Sequence, residues 1–178
     1  LSAFGDEIAP NIGEQIRVLK QNDIHCLEFR NMENRCIIDY SLEEIKQTHK
    51  LLEDNGIKVS AVASPIGKIM VTDEFIPHLV RFKKAIETAY ILESKYIRMF
   101  SFYIPDGHDA TQYRDEVLAR WHKFIEAAKG SGLTLLHENE KAIYGDVAVR
   151  CLDLLDALNC FYVKAVFDPA NFVQSGNT

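Results

Sequence analysis

Ionisable residues directly follow two apolar segments of this chain, where packing alone does not require them. The stretch LLHENEKAIYGD, residues 135–146, passes from leucines into Glu138 and its polar neighbours. A second apolar segment ends in VFDPANF, residues 166–172, and places Asp168 at its end. Neighbouring parallel strands lie about 4.8 Å apart, so carboxylates at their ends can share one divalent cation. The pattern therefore indicates a metal site formed by Glu138 and Asp168.

Spacing alone leaves a second interpretation open for these acids. Both could be structural residues, paired with Lys141, Arg30 or Arg98, because ion pairs of this kind are common. Strand alternation does not decide which face is buried. If Glu138 faces the interior, His137 faces the helices, and we predict that His137 is not a metal ligand.

Three further polar residues lie where a substrate could meet them. Glu28, near the end of an earlier apolar segment, either orients a substrate hydroxyl or pairs with Arg30. Lys68, in SPIGKI, could meet a phosphate or carboxylate of a substrate, although a lone loop lysine is usually solvated. Glu140 is predicted to be a solvated or substrate-facing acid rather than a metal ligand.

The elements that must position these residues alternate regularly. Asn11 with Glu14 and Ser41 with Glu44 have the spacing of helix N-terminal capping boxes. In the last long helix, Val149, Leu152, Leu155 and Leu158 recur at helical spacing, which predicts a core stripe. Helices are expected from Asn11, from Ser41 to Asn55, over about 72–92, over about 111–129 and around 149–158. The predicted strands are 1–5, 24–29, 57–63, 95–102, 133–138 and 161–168.

Repeated strand-helix units favour a parallel sheet covered by helices, either a doubly wound open sheet or part of a (β/α)₈ barrel. A dinucleotide-binding sheet requires a glycine-rich turn after its first strand. Here that turn reads FGDEIAPN, whose two acids would repel a pyrophosphate. In a barrel, chemistry takes place at the carboxyl ends of the strands, which is where the polar residues recur. The barrel is therefore the predicted architecture.

Composition restricts the function further. The formal charge is −6, so a broad basic surface for nucleic acid is not expected. The four cysteines show no CxxC pair and indicate reduced thiols of a cytoplasmic protein. No apolar run approaches the roughly 20 residues that cross a bilayer, and LSAFGDEIAP is too short and acidic for a secretory signal. We therefore expect neither membrane nor nucleic acid as a partner.

Four motifs together resemble one known family. LLHENE, FDPANFVQSG, SAVASPIGKI and YIRMFSFY are similar to segments of the xylose-isomerase-like TIM-barrel superfamily, in its sugar phosphate isomerase/epimerase branch. The resemblance spans essentially all residues of 1–178 and implies a single α/β domain of the (β/α)₈ TIM-barrel class. A whole barrel typically needs about 250 residues. We therefore expect 1–178 to contain the first six strand-helix units of a longer chain.

The resemblance also implies a site. Members of the superfamily hold one divalent metal with acids on strands five and six, which correspond to Glu138 and Asp168, and with further ligands on strands seven and eight. Asn171 corresponds to a position that contacts substrate or metal-bound water, and Glu28 to a second-strand acid near the substrate. Lys68 and Glu140 complete the substrate-binding residues that we expect. Mn²⁺ or Mg²⁺ suits oxygen ligands, and Co²⁺ or Zn²⁺ stays open.

The implied activity is isomerisation or epimerisation of a small sugar or sugar phosphate. Glu138 would serve as ligand and acid/base, moving a proton through an ene-diolate. Two alternatives stay open: a sugar-binding barrel without turnover, and a metal-dependent phosphodiesterase resembling an AP endonuclease. We also expect a homo-oligomer.

Overall fold

The computed structural model describes residues 1–176, so the last two residues of the predicted domain lie outside the described residues. Contacts within the chain define two compact units. The first unit contains Leu1–Ser64 and Lys84–Ile97, and the second contains Pro65–Lys83 and the described residues from Arg98 onward. Glu28 belongs to the first unit, whereas the other predicted site residues belong to the second.

Strands and helices alternate along the chain as the sequence predicts. The strands are β1 Ser2–Phe4, β2 Cys26–Phe29, β3 Asn31–Met32, β4 Arg35–Cys36, β5 Lys58–Ala63, β6 Tyr96–Met99, β7 Thr134–Glu138 and β8 Val163–Val166. The α-helices are α1 Ile12–Gln21, α2 Leu42–Asp54, α3 Phe75–Ile91, α4 Arg114–Ala128, α5 Ala148–Leu158 and α6 Pro169–Gln174.

Six of these strands form one sheet in the order β1-β2-β5-β6-β7-β8. They are the six strands that the sequence predicts, and their order follows the chain as in the wall of a TIM barrel. The pairings β1–β2, β2–β5 and β7–β8 are parallel. The predicted fold class of six (β/α) units is confirmed, and β1 and β8 lie at the two open edges.

The predicted capping box is complete at α2, whereas at α1 only the Asn11 side-chain half forms and the Glu14 carboxylate pairs with Arg17 instead. The side chain of Asn11 accepts a hydrogen bond from the Glu14 N–H at 3.1 Å, which satisfies one of the free donors at the start of α1. Ser41 and Glu44 form a complete reciprocal capping box before α2. These local hydrogen bonds explain why both helix starts could be located from sequence.

A short antiparallel hairpin, β3–β4, was not predicted. Its two-residue turn consists of Glu33 and Asn34, both with positive φ, at 48° and 58°. Such turns favour asparagine and glycine, and a Glu-Asn pair gives a much weaker signal than Asn-Gly. The Glu33 carboxylate accepts a hydrogen bond from Asn11 Nδ2 at 2.9 Å, so the hairpin is joined to the start of α1.

The core of the second unit is aromatic. The Phe124 ring on α4 lies 5.1 Å from the Phe75 ring and 4.8 Å from the Phe82 ring, both on α3. The Trp121 ring lies 6.1 Å from that of Phe124, edge to face, and Trp121 is fully buried. These contacts attach α3 and α4 to each other through one cluster.

His78 lies beside this cluster in its neutral form. It is 6% exposed, and its Nε2 accepts a hydrogen bond from the Gly67 N–H at 2.7 Å, which a protonated ring could not do. Burial lowers the pKa of His78 to about 4, and the nearby charges of Arg81 and Arg120 contribute, opposed by Asp73. The hydrogen bond therefore depends on pH.

This dependence predicts an acid-sensitive part of the folding free energy. The folded pKa of His78 is below the usual histidine value of 6.5, so its contribution is fully present above that pH and is lost as the pH falls toward 4. The free energy of unfolding should fall by up to about 1.4 kcal/mol per pH unit in that window, roughly 3 kcal/mol in all. Urea titrations between pH 7 and pH 5 should show a shallower dependence for His78→Gln than for the parent. The exposed His122→Gln is the control, and an equally steep slope in His78→Gln would contradict the assignment.

The predicted core stripe of α5 is wrong at Val149 and Leu152 and confirmed at Leu158. Val149 is 70% exposed and Leu152 is 58% exposed, whereas Leu154 and Leu158 are the buried residues of this helix. The helix carries apolar residues on more than one side, so periodicity alone could not identify the packed side. The helix thus presents apolar side chains to solvent, and other exposed apolar residues of the second unit include Phe161, Phe167 and Val173.

Two further findings concern the whole described chain. Among residues 1–176, no helix combines the length and the apolar character that crossing a bilayer requires. The four cysteines are free thiols.

Candidate functional site

The carboxyl ends of β7 and β8 place the predicted acids in the second unit. Glu138 is the last residue of β7 and is paired in register with Val166, the last residue of β8. Glu138 is 8% exposed, although it is a strand-end acid. Asp168 follows two residues after Val166. Both acids thus lie at the ends of hydrogen-bonded neighbouring strands.

Asn139 joins the two strand ends by side-chain hydrogen bonds. Its Nδ2 donates to the Asp168 carbonyl at 2.8 Å, and its Oδ1 accepts from the Asp168 N–H at 2.9 Å. Asn171 Nδ2 donates in turn to the Asn139 carbonyl at 3.0 Å. A buried amide thereby continues the β7–β8 pairing by one step, which fixes the backbone of Asp168 relative to Glu138.

The side chain of Asp168 begins helix α6. Its Oδ1 accepts a hydrogen bond from the Asn171 N–H at 3.0 Å, and Pro169 occupies the first helical position. An aspartate with these contacts has a fixed side-chain direction. Among residues 1–176, no hydrogen bond involves Asp168 Oδ2, so one carboxylate oxygen stays available.

The predicted helix-facing orientation of His137 agrees with its surroundings. The His137 ring is 5.9 Å from that of Trp121 on α4, and His137 Nε2 lies 2.9 Å from Ser101 Oγ. Burial lowers the pKa of His137 to about 3, so the ring is neutral. The alternation of β7 therefore places His137 and Glu138 on opposite faces.

Glu138 lies against a buried cation. Arg98 Nε on β6 is 3.2 Å from Glu138 Oε2, with side-chain exposures of 6% and 11%. This is one of the ion pairs that the sequence left open as an alternative. A buried carboxylate needs a compensating charge, and Arg98 provides it. An ion pair and metal ligation are compatible, because a carboxylate has two oxygens and several lone-pair sites.

Lys68 and Glu140 form a second ion pair in the same unit. Lys68 Nζ donates to Glu140 Oε2 at 2.8 Å, and Glu140 Oε1 accepts from the Lys141 N–H at 2.9 Å. The Lys68 ammonium lies 4.3 Å from the centre of the Phe100 ring, and the Arg98 guanidinium lies 4.8 Å from the same ring. One buried aromatic ring therefore supports both cations.

Gly67 allows the segment before Lys68 to approach β6. Its φ is +93°, and a Cβ at this position would overlap the Phe100 carbonyl. The Gly67 carbonyl also accepts a hydrogen bond from the Phe102 N–H at 2.9 Å. Only glycine combines this backbone conformation with so close an approach.

Gly67→Ala is therefore expected to destabilise the protein by about 2 kcal/mol or more, since backbone strain and overlap both act. Gly130→Ala is the matched control, because Gly130 has a φ of +76° and open space around its Cβ position. The control should lose about 1 kcal/mol from strain alone. Urea unfolding of both variants measures the difference, and equal losses would contradict the role of the Phe100 carbonyl.

The sequence predictions missed two members of this group. Arg98 was considered only as one of several ion-pair partners, and Asn139 was given no role. Arginine inside an apolar strand such as YIRM was a usable signal, because a buried arginine needs a partner. The bridging role of Asn139 had no sequence signal. Glu28 lies in β2 of the first unit, where it is half-buried and has partners.

The chain also matches a known protein family over most of its length. Residues 16–178 match the model of the family described as xylose isomerase-like TIM barrel. The chain belongs to the xylose isomerase-like TIM-barrel family. The resemblance that the sequence motifs predicted is confirmed. No curated protein matches the chain significantly.

Solved structures similar to this xylose isomerase-like protein have diverse functions. A D-tagatose 3-epimerase-like protein aligns with a TM-score of 0.80 at 15% identity, covering 99% of this chain and 67% of its own. The IOLI protein, whose structure contains a zinc atom, aligns with a TM-score of 0.78 at 14% identity. The alignment covers 99% of this chain and 66% of the IOLI chain. The probable 3-DHS dehydratase AsbF from Bacillus anthracis aligns with a TM-score of 0.77 at 16% identity. The alignment covers 93% of this chain and 60% of the AsbF chain.

The similarity to these three solved structures shows the fold of the chain. The chain spans between 60% and 67% of the length of these three solved proteins. The specific reaction is therefore a matter for proposal from the residues of the site.

Proposed function

We propose that the protein is a divalent-metal-dependent isomerase or epimerase of a small sugar or sugar phosphate. The observation that carries the proposal is the pair of acids, Glu138 and Asp168, at the ends of neighbouring strands that Asn139 joins. The sugar epimerase-like neighbour supports the same reaction class.

The residues present fit a divalent cation. Asp168 keeps one carboxylate oxygen that takes part in no hydrogen bond with the described residues, and its direction is fixed by the cap of α6. Glu138 provides a second carboxylate, held in a largely buried position. Two carboxylates are hard oxygen donors, which favours Mn²⁺ or Mg²⁺, while the neighbour with zinc keeps Zn²⁺ in consideration. When bound, such an ion would polarise a substrate carbonyl.

Residues of the chain itself would transfer the proton and bind the substrate. Glu138 would accept a proton from the carbon next to the carbonyl, which gives an ene-diolate, and return it to the neighbouring atom on the same face. Inversion of the same carbon would need a second acid on the opposite face, the role expected for an acid on strand eight of a whole barrel. Arg98 would hold the Glu138 carboxylate in place. Asn171 and Glu140 have polar groups that could bind substrate hydroxyls, and Lys68 would fix Glu140. Glu28 stays a proposed substrate-binding residue.

The test is proton exchange at the substrate carbon. The full-length protein is incubated in D₂O with Mn²⁺ and a panel of ketoses and ketose phosphates, and deuterium incorporation is followed by NMR. We expect incorporation next to the carbonyl of at least one ketose, abolished by EDTA and restored by Mn²⁺. Absence of exchange with every sugar, in protein shown to bind the metal, would contradict an isomerase.

A specific observation favours one second candidate, a sugar-binding protein without turnover. In the structure, Glu138 is engaged by Arg98 at 3.2 Å, which could hold it as a structural acid. The same D₂O experiment separates the two functions, because a binding protein would shift sugar resonances without deuterium incorporation.

We also propose that the barrel continues beyond these six units in the whole protein. The support is the exposed apolar surface of the second unit, where Phe161 is 89% exposed and Phe167 is 71% exposed beside the edge strand β8. Exposed aromatic side chains and an unpaired strand edge favour association with further chain. The proposal predicts that adding the subsequent coding sequence protects the amides of β8 in hydrogen exchange; unchanged protection would contradict it.

Free cysteines support our proposal of a reducing compartment such as the cytoplasm. The homo-oligomer stays a prediction.

A further inference from the structure

A second group of metal-ligating side chains lies in the first unit. It consists of His49, Glu53 and Glu93, and one potential ligand atom from each lies within 4.8 Å of the others. His49 Nε2 is 3.8 Å from Glu53 Oε2. None of the three takes part in the candidate function described above, so their proximity needs its own explanation.

Local structure brings the three residues together. His49 and Glu53 are four residues apart on α2 and therefore share one face of its last turns. Glu93 follows the end of α3 in the left-handed conformation, with a φ of 53°. Its N–H donates to the Tyr90 carbonyl at 3.2 Å, which turns the chain directly after the helix. The group is thus built from two helix C-termini.

The surroundings suit a cation. The three side chains line a cleft of about 420 Å³, with Ile57, Val59 and Leu92 also in its lining. Apolar walls raise the strength of charge interactions, and the carbonyl ends of helices carry partial negative charge. Two carboxylates this close repel each other unless a positive charge lies between them. The exposed Lys58 lines the same cleft, but no ion pair joins it to Glu53 or Glu93 within the described part of the chain.

We propose that His49, Glu53 and Glu93 bind a divalent cation of the zinc class. One imidazole nitrogen with two carboxylate oxygens is a donor set that Zn²⁺ accepts, with water completing the coordination. Binding would draw the three ligand atoms closer and join the end of α2 to the end of α3. This site is separate from the one formed by Glu138 and Asp168 and does not depend on the proposed isomerase activity.

Sequence reasoning missed this group because its members are far apart in the chain. The His-x₃-Glu spacing on a predicted helix was a usable signal for two of the ligands. Glu93 comes from a turn whose left-handed conformation no local pattern indicates.

The test is a Zn²⁺ titration of the full-length protein followed by ¹H–¹⁵N NMR of the histidine rings. It uses the Asp168→Asn variant, so that the proposed site of Glu138 and Asp168 loses one of its two acids while the buried Glu138–Arg98 pair stays intact. We expect the His49 ring signals to shift and saturate at one equivalent. His25 is an internal control, because its Nε2 is 2.8 Å from Asp23 Oδ1 without a third donor, and its signals should stay in place.

Two variants make the proposal falsifiable. Glu93→Gln in the same background should weaken Zn²⁺ binding at least tenfold, whereas Glu87→Gln on α3, outside the cleft, should leave it unchanged. Zn²⁺ should also raise the thermal midpoint of the background protein but not that of the Glu93→Gln variant. If His49 fails to respond, or if Glu93→Gln binds Zn²⁺ as tightly as the background, the site does not exist.

Discussion

Replacing Glu138 by glutamine is expected to lower turnover by about 10²–10⁴-fold, the usual contribution of a general acid/base. Glutamine keeps the size of the side chain but cannot accept a proton at neutral pH, and it removes a carboxylate from the proposed metal site. In the structure it would also remove the charge of Glu138 from its buried pair with Arg98. We therefore expect a loss in both turnover and metal affinity, measured by deuterium incorporation and by Mn²⁺ titration.

Controls separate chemistry from folding in this experiment. Glu126→Gln removes a carboxylate from an exposed pair with Lys129 and should leave activity unchanged. Because breaking a buried ion pair can unfold a protein, circular dichroism and urea unfolding of Glu138→Gln are measured beside activity. A folded Glu138→Gln variant as active as the parent would remove the proposed acid/base role.

Truncation of Phe124 is expected to give the largest loss of stability, about 4 kcal/mol, as for other buried phenylalanines. Phe124 is fully buried, and its ring contacts rings from both α3 and the segment after β6, at 4.8 Å from Phe82 and 6.0 Å from Phe102. Phe124→Ala removes these contacts at once and leaves a cavity that rigid neighbouring rings cannot fill. Urea unfolding should show a lower midpoint with the same m-value.

Two variants calibrate this prediction. Phe124→Leu keeps most of the volume and should lose less than half as much stability. Ile76→Ala on α3, where the side chain is 64% exposed, should change the free energy of unfolding by no more than about 0.5 kcal/mol. A Phe124→Ala loss below about 1 kcal/mol would show that the aromatic cluster is not the main core of the second unit.

The sequence was sufficient to predict the alternation of strands and helices, because helix capping and apolar patterns depend on residues close together in the chain. Ser41 with Glu44 located the start of α2, and the structure shows both hydrogen bonds of that capping box. The sequence was insufficient to predict which side of α5 is packed, since Leu152 was expected in the core and is exposed. Which apolar side of a helix packs depends on neighbouring elements, and periodicity does not contain that information.

For the candidate site too, some features could be predicted from the sequence and others could not. Strand-end positions for Glu138 and Asp168 could be predicted, since strand ends follow from apolar runs. Long-range contacts could not, and they include the Asn139 bridge to Asp168 and the Lys68–Glu140 pair, whose members are far apart in sequence. Such contacts arise from tertiary structure. The roles of these residues in catalysis stay predictions until the variants are measured.

The central claim is that Glu138 and Asp168 bind one ion together, and an anomalous difference map tests it most directly. Crystals of the full-length protein are soaked in Mn²⁺ and measured where manganese scatters anomalously. We predict one peak at roughly 2.0–2.2 Å from a carboxylate oxygen of each residue, the usual range for metal–carboxylate bonds. A peak that contacts only one of the two acids, or no peak beside either of them, would contradict the claim.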